Sequence, residues 1–265
     1  MASTELQLVF LGGLEVQRDG EPIVELTSQK ARALLCYLAV TDHPHSRLAL
    51  AGLLWGDMPE SNALMNLRKA LKQLRQQVGD HLTITRQQVA FKSDAPHWID
   101  VAVLQDVAKQ VKVVDEIRAS LLGQMEQAAA LYQGGFLEDF YIRDAPDFEG
   151  WVLGKRAYIR ELALQLMHVA ASEHTRQGHY KSAIEFTRRF LSLEPWREGA
   201  HRDLIRLLAY TGQRGAALAQ YETCRLILQE EFGVDPSEET QKLYRSIQRD
   251  DLRPPSHHSY IKAHR

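Results

Sequence analysis

Cysteine is nearly missing from this chain of 265 residues, which holds only Cys36 and Cys224. Both sit among apolar neighbours, so they read as buried thiols of a reducing cytoplasm and not as a disulfide framework. Long apolar runs are missing too. No stretch approaches the roughly 18 apolar residues of a membrane span, and no basic start leads into an apolar run. A cytoplasmic protein without a membrane partner is expected. Charge imbalance is also absent: 32 Lys and Arg stand against 34 Asp and Glu, a net charge of −2. The average charge therefore does not announce a nucleic-acid binder.

Signatures of catalysis are equally scarce. Gly150-Trp151-Val152-Leu153-Gly154-Lys155 approaches a phosphate loop but is one residue short, places Arg156 where Ser or Thr is required, and lies in a helical pattern. No dinucleotide fingerprint, zincin helix or nucleophile elbow is present. His43 and His45 lie close together on an expected loop, without nearby cysteines or clustered carboxylates to complete a zinc site. The expectation is a protein with no catalytic residues, no cofactor and no metal site, hence no enzyme.

What the chain does contain is unevenly spread charge. Residues 1–29 carry one basic and five acidic side chains, residues 30–92 nine basic and four acidic, and the remainder 22 basic and 25 acidic. Within the basic segment, residues 61–78 form the most informative stretch. Leu64, Leu67, Leu71, Leu74 and Val78 recur at helical spacing and predict a stripe against a core. Asn62, Met65, Lys69, Lys72, Gln73 and Gln76 point the other way, Arg68 and Arg75 flank them, and no acidic residue occurs from Asn62 to Val78. Lys and Arg neutralise phosphates with release of counterions, while Asn, Gln and Arg also read base edges in the major groove. A solvated surface helix would use similar residue types, so spacing alone leaves both readings open.

The flanking segments give this helix a setting. Leu6, Leu8 and Phe10, then Leu14 and Val16, alternate with polar neighbours, and Arg18-Asp19-Gly20-Glu21 signals a turn before residues 23–26; together they predict a small antiparallel sheet. Thr27 or Ser28 can cap a helix over 29–40, and Ser46 a helix over 47–55. After the basic helix, two β-prone runs surround Arg86-Gln87-Gln88. A sheet, three helices and a closing hairpin make a winged helix, with Arg86 or Lys92 where a wing would touch DNA.

From residue 100 onward the pattern becomes helical, with helices expected over 101–112, 114–132, 150–177, 180–193, 196–211, 214–232 and 238–249. Met125, Phe136, Phe140, Tyr141, Phe148 and Trp151 are expected in the core. Residues 178–184 and 212–218 match at an offset of 34, pairing Gly178 with Gly212 and Ala183 with Ala217. That is the tetratricopeptide period, whose stacked helix pairs form a concave surface for another protein or a peptide. The fold class expected is mostly α: an α+β winged-helix DNA-binding domain at 1–95, an all-α tetratricopeptide-like domain at 98–250, and a tail or linker at 251–265.

Several short motifs occur together and in order: Leu11-Gly12-Gly13-Leu14-Glu15-Val16, residues 29–35, Leu53-Leu54-Trp55-Gly56-Asp57, residues 67–75, Trp196-Arg197-Glu198 and Phe232-Gly233-Val234-Asp235-Pro236. In these the chain resembles the antibiotic regulatory protein (SARP) family of bacterial transcription factors, over about residues 5–249. The resemblance implies a winged helix of the response-regulator output class joined to a bacterial transcriptional activator domain. It further implies binding to direct repeats in double-stranded DNA near promoters, recruitment of RNA polymerase, and a second protomer beside the first. By the same resemblance Asn66, Arg68, Lys69, Lys72 and Gln73 lie on the part of the helix that enters the major groove. Arg47 and Arg75 would contact phosphates and Arg86 would belong to the wing; family wings usually have glycine where this chain has Arg86-Gln87-Gln88. With Asn62 and Gln76 from the outward face, these are the expected DNA-binding residues. Two other readings stay open: a tetratricopeptide-type protein-interaction module, or the amino-terminal output part of a larger ATPase-containing regulator.

Overall fold

The computed structural model describes residues 5–114 and 116–252, so the expected tail beyond Leu252 lies outside the described residues. The chain forms two compact units, Met1–Gln110 with Ala130–Ala163 and Val111–Ala129 with Leu164–Arg265.

In the first unit, β1 (Leu6–Val9), β2 (Glu15–Arg18) and β3 (Glu21–Pro22) form an antiparallel meander as expected, but the third strand is Glu21–Pro22 and not the run at residues 23–26, because the two-residue turn at Asp19-Gly20 starts the return strand at once. Leu6 and Leu8 bury completely while Gln7 and Val9 between them are half-buried, the alternation of a sheet with one face on a core. Asp19 and Gly20 both have positive φ, 51° and 86°, as a two-residue hairpin turn matching strand twist requires. A fourth strand, β7 (His97–Ile99), pairs parallel with β1 and was not anticipated. Three residues are too few for a legible period. What secures β7 is the next residue: the buried Asp100 carboxylate accepts from the backbone N–H groups of Phe10 and Leu11, each at 2.8 Å, and of Val101 at 2.6 Å.

Helix α1 (Gln29–Thr41) starts on Ser28, whose hydroxyl accepts from Ala31 N–H, and stops at Asp42 in the left-handed region. Helix α2 (Arg47–Trp55) is capped in the same way by Ser46. Both caps are as expected. Helix α3 (Glu60–Val78) follows, then a three-stranded sheet in the order β4 (His45–Ser46), β6 (Gln88–Phe91), β5 (Leu82–Ile84). Helix α4 (Asp100–Val113) comes next.

Residues 134–156 belong to the same unit. Phe136 meets Phe10 and Trp151 edge-on, and Trp151 also meets Tyr37 and Phe148. Gly12, at φ 87°, and Gly134 approach so closely that a Cβ on Gly134 would stand 2.8 Å from Gly12 Cα. Gly12 of the Leu11–Val16 motif thus serves a backbone contact, whereas Gly13 has open space where a Cβ would stand. The Arg156 guanidinium donates to the carbonyls of Phe136, Leu137 and Glu138. Of the expected core aromatics, Tyr141 is 61% exposed: it precedes Ile142, which takes the buried place in that short segment.

Helix α6 (Pro146–Arg176) begins four residues before its expected start, because proline fits a first helical turn and Asp147 and Glu149 complement the dipole there. Helix α5 (Ala119–Leu131) begins later than expected, and Val113 and Val114 stay exposed.

The second unit contains α7 (Tyr180–Leu193), α8 (Glu198–Tyr210), α9 (Arg214–Phe232) and α10 (Glu238–Gln248). The repeat is visible atom for atom. Gly178 and Gly212 have φ 77° and 75°. His179 N–H donates to His174 O as Gln213 N–H does to Leu208 O, and Gly178 N–H to Thr175 O as Gly212 N–H does to Ala209 O. Ala183 and Ala217 are fully buried one turn later. Helix α9 ends on Gly233 at φ 67°, and α10 is tied to α8 through Glu198, which accepts from Ser237 N–H and from the Ser237 and Thr240 hydroxyls. These are the residues of the Trp196–Glu198 and Phe232–Pro236 motifs, or their immediate neighbours.

Candidate nucleic-acid interface

Helix α3 has 19 residues, about 28 Å at 1.5 Å per residue. Ala63, Leu67, Ala70, Leu71, Leu74 and Val78 bury, while Leu64 sits half-buried at the edge of that stripe. The two alanines, which a reading of large apolar residues overlooks, shift the buried line toward Leu67 and Leu74. The helix thereby presents three outward sectors. Asn62, Met65, Lys69, Lys72 and Gln76 are exposed along the middle. Arg68 and Arg75, two turns apart and both exposed, occupy one flank, and Asn66 and Gln73, also two turns apart, the other.

The two flanks differ in freedom. Arg68 and Arg75 are exposed guanidinium groups, whereas Asn66 and Gln73 are half-buried. The Gln73 amide donates to Glu25 O at 3.0 Å and to the Thr27 hydroxyl at 3.3 Å; the Asn66 amide donates to Met58 Sδ. On this flank an open concavity of about 580 Å³ is lined by Asn66, Lys69, Lys72, Gln73 and Gln76 from α3 and by Ser28, Lys30 and Trp55 from outside it. Ser28, Lys30 and Trp55 were not among the expected site residues; they lie outside the basic helix, and only folding brings them beside it. Lys30 is partly buried, and desolvation, opposed by Asp144 and Asp57, lowers its pKa.

The hairpin β5–β6 carries Arg86 exposed at its tip. No residue of the turn needs positive φ. In place of glycine, Thr85 closes it: its hydroxyl accepts from the N–H groups of Gln87 and Gln88, and its own N–H donates to Gln88 O. Arg47 stands at the base. Its N–H donates to Gln87 O and its guanidinium to Thr85 O at 2.8 Å. Half-buried, Arg47 braces the hairpin and is brought close to Arg86, while Asn62, Arg68 and Arg75 do not line the concavity.

Neither cysteine is equipped as a nucleophile. Burial drives the Cys36 thiol well above its usual pKa and pushes Cys224 up to about 12, the signature of inert thiols. Among the described residues no cluster of three His, Cys, Asp or Glu side chains is arranged to hold a metal ion. No helix among them is long and apolar enough to cross a membrane.

Comparison with known proteins agrees with this geometry. The bacterial transcriptional activator domain matches residues 99–248. Regulatory protein AfsR of Streptomyces coelicolor is 28% identical over 260 residues, covering 92% of this chain and 24% of AfsR. Transcriptional regulatory protein EmbR of Mycobacterium bovis is 27% identical over 263 residues, covering 94% of this chain and 65% of EmbR. The chain thus spans about a quarter of the length of one relative and just under two thirds of the other. A solved structure of Mycobacterium tuberculosis EmbR in complex with a low affinity phosphopeptide superposes with a TM-score of 0.66 over 98% of this chain and 68% of EmbR. At 20% identity this likeness speaks for the fold, a winged helix followed by a helical domain. With the activator domain matched over more than half of its length, the chain belongs to the SARP family of bacterial transcriptional regulators.

Proposed function

We propose that this chain is a non-enzymatic, cytoplasmic, sequence-specific DNA-binding regulator of transcription, acting as an activator on direct repeats near promoters. The observation that carries the reading is the outward face of α3, which joins exposed Lys69, Lys72, Arg68 and Arg75 to Asn62 and Gln76 without a carboxylate. In this reading α3 enters the major groove. Asn66, Arg68, Lys69, Lys72 and Gln73 meet bases or the groove edge, Arg75 and Arg47 meet phosphates, and Arg86 approaches the neighbouring backbone or minor groove from the wing. Residues 1–95 would be the DNA-binding part. Residues 98–250 would be the activator part that engages RNA polymerase.

A second reading, docking of a protein partner on the helical half, is favoured by one feature. A concavity of about 190 Å³ lies among α6, α7 and α8, with Met167, Ala171, Phe190 and Leu207 in its wall and Arg176, Asp203 and Arg206 beside them.

The deciding experiment is a salt titration of binding to duplex DNA from the upstream region of the gene and to a scrambled duplex. The protein is used as wild type and as Lys69→Ala/Lys72→Ala. Specific, salt-dependent binding is expected for wild type, and in the double variant the affinity for the upstream duplex is expected to fall toward that for the scrambled one. Folded wild type that ignored both duplexes in low salt would leave the protein-docking reading in its place.

A further inference from the structure

A helix lying in the major groove has a phosphate backbone on each side, and both strands carry the same charge. The two flanks of α3 are not equivalent in this respect. One presents the exposed Arg68 and Arg75; the other presents neutral Asn66 and Gln73, with the Gln73 amide already donating to Glu25 O and Thr27. A DNA strand on that second side would meet Lys69 and Lys72 from the middle of α3 and neutral side chains on the flank. The concavity there has its outer wall made by Ser28, Lys30 and Trp55, and none of the residues lining it is acidic.

Lys30 is held in a defined place. Its ammonium lies 5.3 Å from the centre of the Trp55 ring and donates to Asp144 O at 3.2 Å. An ammonium has three protons, so this carbonyl leaves donors for an anion, and the ring face supports the cation without neutralising it. Trp55 is itself only 6% exposed and anchored in the core at the end of α2. The lysine is therefore seated on a rigid wall and loses little further freedom on binding.

We propose that Lys30, seated on Trp55 at the start of α1, is a phosphate contact for the DNA strand that passes the Asn66–Gln73 flank of α3, opposite the strand met by Arg68 and Arg75. The inference rests on the DNA-binding reading above. It gives the Gln29–Leu35 motif a role outside the core: one residue of it completes a two-sided clamp on the major groove. Lys69 and Lys72 line the same concavity from the helix side, so the strand lies between cations on both walls. The contact is to the sugar-phosphate chain and carries no base preference.

The test is a salt titration of the full chain on the upstream duplex and its scrambled counterpart, comparing wild type, Lys30→Met and Lys30→Arg. Lys30→Met keeps the aliphatic stem and removes the charge, and Lys30→Gln carries the same expectation should the Met variant fail to fold. The expected result is a slope shallower by about 0.9 and a several-fold loss of affinity that is equal on both duplexes. Lys30→Arg, which restores a cation able to stack on Trp55, recovers the wild-type slope. A Lys30→Met protein that melts like wild type and keeps its slope would overturn the inference while leaving the DNA reading intact. Loss confined to the upstream duplex would also overturn it, by making Lys30 a base reader. Absence of salt-dependent binding in wild type would remove the DNA reading and this inference together.

Discussion

Buried polar side chains give this protein its sharpest single-residue dependences. Asp100 joins the start of α4 to the end of β1, and desolvation, only partly countered by the N–H groups it accepts from, raises its pKa. A carboxyl whose folded pKa lies above its unfolded value binds its proton more tightly in the native state, so its contribution to stability falls as pH rises above about 4 through the folded value. The hydrogen bonds nevertheless outweigh the charge. Asp100→Ala orphans three buried N–H groups, those of Phe10, Leu11 and Val101, and is expected to cost about 2–4 kcal/mol in urea denaturation at neutral pH. His201 has the opposite slope. Burial, opposed by its bond to Pro195 O and by Glu198, lowers its pKa. Neutral, it donates from Nε2 to Pro195 O and accepts at Nδ1 from the Gln220 amide. Its contribution is complete above about pH 6.5, the unfolded value, and is lost as pH falls through the lowered folded value. Melting temperatures followed downward from pH 7.5 are expected to fall less steeply in His201→Gln than in wild type. His45, lowered by burial and by His43, contributes a slope of the same sign.

Turns are the points of greatest sensitivity at the level of the element. Gly212 turns α8 into α9 at φ 75° with open space where a Cβ would stand. Gly212→Ala therefore meets backbone strain without a clash, and a loss of about 1 kcal/mol is expected from chemical denaturation. Gly134→Ala meets a backbone atom at 2.8 Å, so the loop must move and a larger loss, about 1–3 kcal/mol, is expected. The wing shows how an element escapes its usual residue. Thr85 closes the turn by its hydroxyl, and Thr85→Val is expected to lower DNA affinity through wing disorder while leaving base preference unchanged, as read by binding to the upstream and scrambled duplexes. Helices with caps and apolar periods were legible in advance: Ser28, Ser46 and the bounds of α7 and α9 all agree with their sequence signals. Strand β7 was not, because its three residues are defined by their partner β1 and by Asp100.

For the molecule as a whole, the proposed operator has a geometric consequence. Two protomers on direct repeats must lie on the same face of the duplex, so repeat spacing near one helical turn, about 10–10.5 base pairs, or a multiple is expected. Inserting about 5 base pairs between repeats should abolish joint occupancy, and inserting about 10 should restore it, with footprinting as the measurement. Equal occupancy at every spacing would mean that the protomers bind independently.

Periodicity, capping residues and the 34-residue echo of Gly178 in Gly212 determined the class of fold and the basic helix, since these features act within one element or one repeat and are written in neighbouring residues. The tertiary structure alone decided what surrounds that helix. Lys30 stands 39 residues before Lys69, and Trp55 lies between them in the chain, yet one concavity joins all three. It also decided that Gln73 is engaged by Glu25 and Thr27 while Arg68 and Arg75 remain free on the other side. Such groups meet through packing between elements distant in sequence, which leaves no local pattern of spacing from which they could be read.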